Sequence, residues 1–170
     1  GDWPSDSDPW QWHAQAIVGM AMVAGEMGRH EEKIELLLEH DEVYSPPTTA
    51  DRGWPLMRLR RYDEARAVVA EALAMDDPGQ VAHALTARCA IEAEMQNREA
   101  SYLACKDAAE HERSYARPGP TPFTNAGEAS LGMLLFDQAE TFILEGSENF
   151  VRGTVSTPWL DLTLLYLAQG

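Results

Sequence analysis

The sequence predicts an all-α fold built from a repeated pair of helices. Three observations predict it. Apolar residues recur at helical spacing along most of the chain, as in Ile34, Leu37 and Leu38 or Tyr62, Ala65, Val68, Val69, Ala72 and Leu73. Turn signals return near Gly28, Arg60, Gln96, Leu134 and Gly170, at individual spacings of 32 to 38 residues and a mean of 35.5. The 170 residues are 45% hydrophobic and 24% charged, a balance that supports a packed core. A fixed period of this length is the signature of an α-solenoid of stacked helix pairs.

The elements run in order along the chain. Asp8 then Pro9 reads as a cap followed by proline at the first helical position, opening a helix to about Met27. Gly28 and Arg29 break it, and a second helix spans about His30 to Tyr44. Its Glu31, Glu35 and Glu39 share one face, and Pro46-Pro47 ends the unit. The next unit contains Gly53 and Pro55 inside its expected first helix, so that helix is either kinked or begins only around Trp54. Its second helix closes at Asp76-Asp77-Pro78, where the paired acids cap or end a helix. The segment 114–122, with Pro118, Gly119, Pro120 and Pro122, reads as a long loop, a mobile insertion or a partner contact. A last helix begins near Leu160. The expected repeats are 9–45, 46–78, 79–117 and 118–155, with a half repeat at 156–170, forming a single helical-repeat domain.

The string Arg61-Tyr62-Asp63-Glu64-Ala65, then Ala72-Leu73, then Asp77-Pro78, resembles the second helix of a tetratricopeptide repeat. Trp159, Leu162 and Tyr166 sit at the spacing of that family's first-helix Trp, Leu and Tyr, with Thr163 where the family prefers glycine. The resemblance implies a right-handed superhelix. It also implies small residues where the paired helices approach closely, a place held by Ala65, Ala139 and Gly127. The first repeat has Lys33 there instead, and the third aligns with either Ala100 or Ser101 in that place. Gly1 in place of methionine, and a final helix without a partner, make the chain read as a piece of a longer protein.

Charge excludes several classes of partner. There are 28 acidic and 13 basic side chains, for a net charge of −15, which opposes phosphate neutralisation and docking on an anionic membrane. No apolar run is long enough to span a bilayer, and no basic segment precedes one, so the expected location is cytoplasmic. Cys89 and Cys105 do not make a disulfide framework and read as free buried thiols in a reducing compartment, with a redox pair as the alternative. Residues 1–50 carry a net −8, whereas residues 51–75 hold five arginines against four acids. Those arginines either pair with acids of the neighbouring repeat or anchor a carboxylate-bearing partner.

No catalytic constellation emerges. Gly127 to Gly132 lacks the lysine of a phosphate loop, and His30-Glu31-Glu32 lacks the second histidine of a zinc-protease helix. Asp107 and His111 read as a surface pair, and no Cys-x2-Cys exists to hold structural zinc. The chain is therefore read as a non-enzyme without metal or cofactor.

The family's first helices line a concave, partner-binding face. Carried over, this places Met22, Trp54, Met57, Arg58, Asn125 and Glu128 at partner contacts. The expected function is a bacterial-type interaction scaffold that takes a peptide or partner helix, without a chaperone carboxylate clamp. The alternatives are a sensor or regulatory array of a larger protein, including one with a nucleotide switch, and a self-assembly element using the last helix.

Overall fold

Each helix pair is organised by the same turn. In the computed structural model, which describes residues 9–45, 47–149 and 163–167, the chain turns through left-handed backbone at Gly28 (φ +74°), Arg60 (φ 60°), Gln96 (φ 59°) and Leu134 (φ 60°). At every one, two backbone bonds satisfy carbonyls that the ending helix leaves open. The N–H of the residue after the turn reaches back five positions: Arg29 to Ala24, Arg61 to Leu56, Asn97 to Glu92 and Leu135 to Ser130, at 2.8–3.0 Å. The N–H of the left-handed residue itself reaches back three, to Gly25, Met57, Ala93 and Leu131. The turns expected near these residues are thus centred on them. The next helix then opens with acids in its first turn, which complement its dipole.

The described residues are helical, with no strand among them. They divide into two compact units, residues 1–75 and 76–170. The first unit contains α1 (Pro9–Glu26), α2 (His30–Val43), a 3-10 turn (Thr49–Arg52), α3 (Gly53–Arg58) and α4 (Tyr62–Leu73). α1 packs on α2 through Ile17, Ala21 and Ala24 on one side and Ile34 and Leu37 on the other, all buried. Pro55 falls in the first turn of α3, where no backbone N–H is required. The helix therefore starts late and stays short, the second of the two forms its sequence allows.

The second unit contains α5 (Pro78–Glu94), α6 (Arg98–Glu112), α7 (Pro120–Gly132) and α8 (Phe136–Glu148). α5 is capped as its sequence suggests, with Asp77 accepting from the Gln80 N–H at 2.9 Å. Each helix packs on the next. Phe123, Phe142, Ala104, Ala109 and Ala126 make one core cluster; Ala139, Ile143 and Leu165 make another. Leu165 lies in the short helical stretch 163–167, and Tyr166 donates from there to Glu140 at 2.9 Å. Trp159 and Leu162, half of the last-helix motif, lie outside the described residues, as do Gly170 and Asp8.

Counting from the left-handed residue puts the pairs in a common register. Seven positions before it stand Ala21, Gly53, Cys89 and Gly127; five positions after it stand Lys33, Ala65, Ser101 and Ala139. Nine after it stand Leu37, Val69, Cys105 and Ile143. All twelve are buried. The third repeat therefore aligns through Ser101, not Ala100. The rule behind the register is one of volume. Gly127 has no room for a Cβ because the Cγ1 of Ile143 already fills that space, so a glycine in one helix accommodates the branched side chain of the other.

Two expectations are corrected. Cys89 and Cys105 are not free thiols. They occupy that same small-and-large position of the third pair and are joined as a disulfide, with Cα atoms 4.6 Å apart. The spacing of 16 residues hid this, because only the turn at Gln96 folds α6 back onto α5. Such a bond persists in oxidising rather than reducing surroundings. The long loop is also shorter than expected. Pro120 and Pro122 lie in the first turn of α7, where proline is favoured. Only residues 113–119 connect the helices, held where the Gly119 N–H meets Glu112 at 2.6 Å.

Candidate functional site

A concavity on the first unit lies along the seam between α1 and α2. It has a volume of about 660 Å³. One wall is the side of α1 that carries Trp10, Gln11, Ala14, Gln15, Val18 and Gly19, residues that recur at helical spacing. The other wall is the C-terminal part of α2 with His40, Tyr44 and Ser45. The size falls within the range of ligand-binding clefts, and the lining is largely apolar.

The polar end of this groove is fixed from beneath. Asp41 Oδ1 accepts from the Thr48 N–H at 2.6 Å, from the Thr48 hydroxyl at 2.8 Å and from His40 Nδ1 at 3.1 Å. Its other oxygen faces Arg52 Nη2 at 3.7 Å. A carboxylate can only accept, so the Nδ1 of His40 donates to Asp41. His40 is 6% exposed and packs against the ring of Tyr44 at 5.3 Å. Tyr44 is tied in turn to His13, whose ring nitrogen meets its hydroxyl. The groove thus has a preset hydrogen-bonding end and a hydrophobic floor.

The other end of the seam is marked by Met22, one helical turn past Val18 and Gly19. Its side chain is half exposed (50%). Lys33 of α2 reaches it, with Nζ 3.9 Å from the thioether sulfur. Lys33, Leu37 and His40 form a single stripe on α2 that runs on to its C-cap Tyr44.

The residues expected at partner contacts are distributed unevenly. Met22 and Trp54 are both half exposed (Trp54 49%) on α1 and α3, and Arg58 is exposed on α3. Met57 is 3% exposed and belongs to the core, so it presents no surface to a partner. Asn125 is half-buried and Glu128 exposed on α7, in the second unit. Met22, Trp54 and Glu128 all stand six positions before their left-handed turn residue. Trp10, His40 and Tyr44 are absent from the sequence-derived set. Their one sequence signal is the i, i+4 spacing of His40 and Tyr44, which gains meaning only when α1 is laid beside it.

The arginine-rich stretch is partly accounted for. Arg61 donates to Glu64 at 2.7 Å and to Glu31 at 3.0 Å, and so joins α4 to α2. Beside this guanidinium the carboxyl of Glu64 is held below the usual carboxylate range. Together with the contact between Arg52 and Asp41, this pairs arginines of residues 51–75 with acids of the preceding helix pair. Among the described residues no group of three or more His, Cys, Asp or Glu side chains is placed to hold a metal ion, and no helix is long and apolar enough to cross a membrane.

No family model matches this chain, and no curated protein matches it.

Proposed function

We propose that this chain is a non-catalytic interaction module of tetratricopeptide type, with its helix pairs stacked as a right-handed solenoid, and that it binds a peptide or partner helix along the first helices of its pairs. The observation that carries the reading is the α1–α2 groove. It offers an apolar wall with aromatic side chains at one end, and half-exposed Met22 follows its last lining residues along α1. Met and Trp are the adaptable and anchoring residues of protein interfaces. The fourfold repetition of one turn geometry supports the repeat reading. The net charge of −15 supports a protein or peptide partner over nucleic acid.

The test is selection of short peptides from a displayed library on the immobilised chain, with Val18→Asp as the comparison. Val18 lines the groove wall, and a carboxylate there disrupts apolar contact. Enriched peptides that lose binding to Val18→Asp, with the helical content unchanged, support the reading. Enrichment indifferent to that substitution moves the binding face elsewhere. A parallel comparison with Trp54→Ala and Arg58→Ala reports whether the face extends to α3.

A further inference from the structure

Lys33 breaks the helix-pair pattern. The other pairs place Ala65, Ser101 and Ala139 in its position, each buried against the first helix of its pair. Lys33 is buried as well, at 9% exposure. Room for its long stem comes from Gly25, where a Cβ would stand only 2.9 Å from Lys33 Cδ. The corresponding positions before the other turns hold Met57, Ala93 and Leu131. The first pair has thus exchanged sizes: a glycine on α1 admits a lysine from α2. The stem passes through the helix contact and delivers its ammonium to the groove side of α1. There its hydrogen-bonding partner is the thioether of Met22 at 3.9 Å, with no carboxylate paired to it among the described residues. A thioether is a weak acceptor, and a part-buried ammonium gains little from it in place of an oxygen partner. A local departure of this kind, against a pattern kept elsewhere, is expected where a residue serves binding rather than packing.

We infer that Lys33 anchors a side-chain carboxylate of the peptide seated in the α1–α2 groove; the inference rests on the docking function proposed above. A carboxylate supplies the charge-assisted acceptor that Met22 does not. The seam is open beyond Lys33, because Glu26, Met27 and Gly28 are all exposed. A peptide chain therefore passes over this point, which favours an internal Asp or Glu over a chain terminus. The net −8 of residues 1–50 repels a run of acids, so the ligand carries a lone carboxylate between apolar side chains.

The chain contains only two lysines, Lys33 and Lys106, and this makes the test direct. Lys106 is half-exposed and pairs with Glu110 at 3.7 Å, so it serves as the internal control. The full chain, labelled with 13C at the lysine ε-carbons and methionine methyls, is titrated with acetyl-Leu-Glu-Leu-amide and acetyl-Leu-Gln-Leu-amide. The Glu peptide is expected to move the Lys33 signal to saturation and to bind roughly tenfold more tightly than the Gln peptide, as for a charge-assisted hydrogen bond. Lys106 stays in place. Lys33→Met removes the preference and keeps the affinity for the Gln peptide. If that variant does not fold, the two-peptide comparison on the wild-type chain decides. Equal affinities with an unmoved Lys33 signal overturn the anchor and leave the docking reading standing. If neither peptide moves Lys33 or the Met22 methyl, the docking reading falls and the anchor falls with it. Tight binding confined to the free acid acetyl-Leu-Leu overturns the internal carboxylate.

Discussion

Gly127 of α7 lies directly under Ile143 of α8. A Cβ on Gly127 would occupy the space of the Ile143 Cγ1, and the Ala139 carbonyl stands 3.4 Å away. Gly127→Ala is therefore expected to destabilise the second unit by about 1–3 kcal/mol through overpacking. Adding Ile143→Ala relieves the clash, so the double variant is expected to lose less than the two single losses summed. Denaturant unfolding of the single and double variants measures both. Ala65→Leu is expected to act in the same way in α4, where Ala65 has no exposed surface.

The left-handed turns give a pair of opposite effects. Leu134 holds φ 60° with its side chain exposed, and a non-glycine residue in that region costs about 1–2 kcal/mol. Leu134→Gly is expected to leave stability unchanged or raise it by up to about 1 kcal/mol, since the chain entropy of glycine offsets part of the relief. Gly28 holds φ +74° with open space around it. Gly28→Ala is thus expected to lower stability by about 1 kcal/mol through backbone strain alone. Thermal melts check the assignment: Gly28→Ala lowers the melting temperature and Leu134→Gly does not.

The disulfide between Cys89 and Cys105 closes a short loop across the Gln96 turn. Replacing both cysteines by alanine is expected to cost about 3 kcal/mol, the scale for a loop near 15 residues. Thiol titration in denaturant without reductant checks the bond itself. Two reactive thiols per chain would return the cysteines to the free state that their spacing suggests.

Arg61 and Glu64 give the chain an acid-sensitive contact. Glu64 has a lowered folded pKa, so the stabilisation it contributes is present above the unfolded carboxylate range. It is lost as pH falls through the folded value. Arg61→Ala is expected to raise the Glu64 midpoint in a carboxyl NMR titration. An unchanged midpoint removes Arg61 as the cause.

Some of this was legible residue by residue. The turns at Gly28, Arg60, Gln96 and Leu134 are marked by interruptions of helical periodicity. Asp77-Pro78 marks the start of α5 because a cap and a proline act within one turn of chain. The groove was less legible. Trp10 and His40 are 30 positions apart, and neither signals the other until α1 lies on α2. The burial of Met57 was hidden too: periodicity places it on a first helix but does not reveal that the short α3 carries it into the core.

By itself the sequence determined what acts locally: helical periodicity, the turn positions, the caps, and an acidic balance of charge. These need interactions only within a few residues, whose geometry the chain itself dictates. Only the tertiary structure decided what depends on approach. It settled that Ser101 rather than Ala100 faces α5, that Cys89 meets Cys105, and that Gly25 admits the stem of Lys33. The physical reason is volume: a small residue acquires its meaning from the side chain packed opposite, and that neighbour is set by the folded pair.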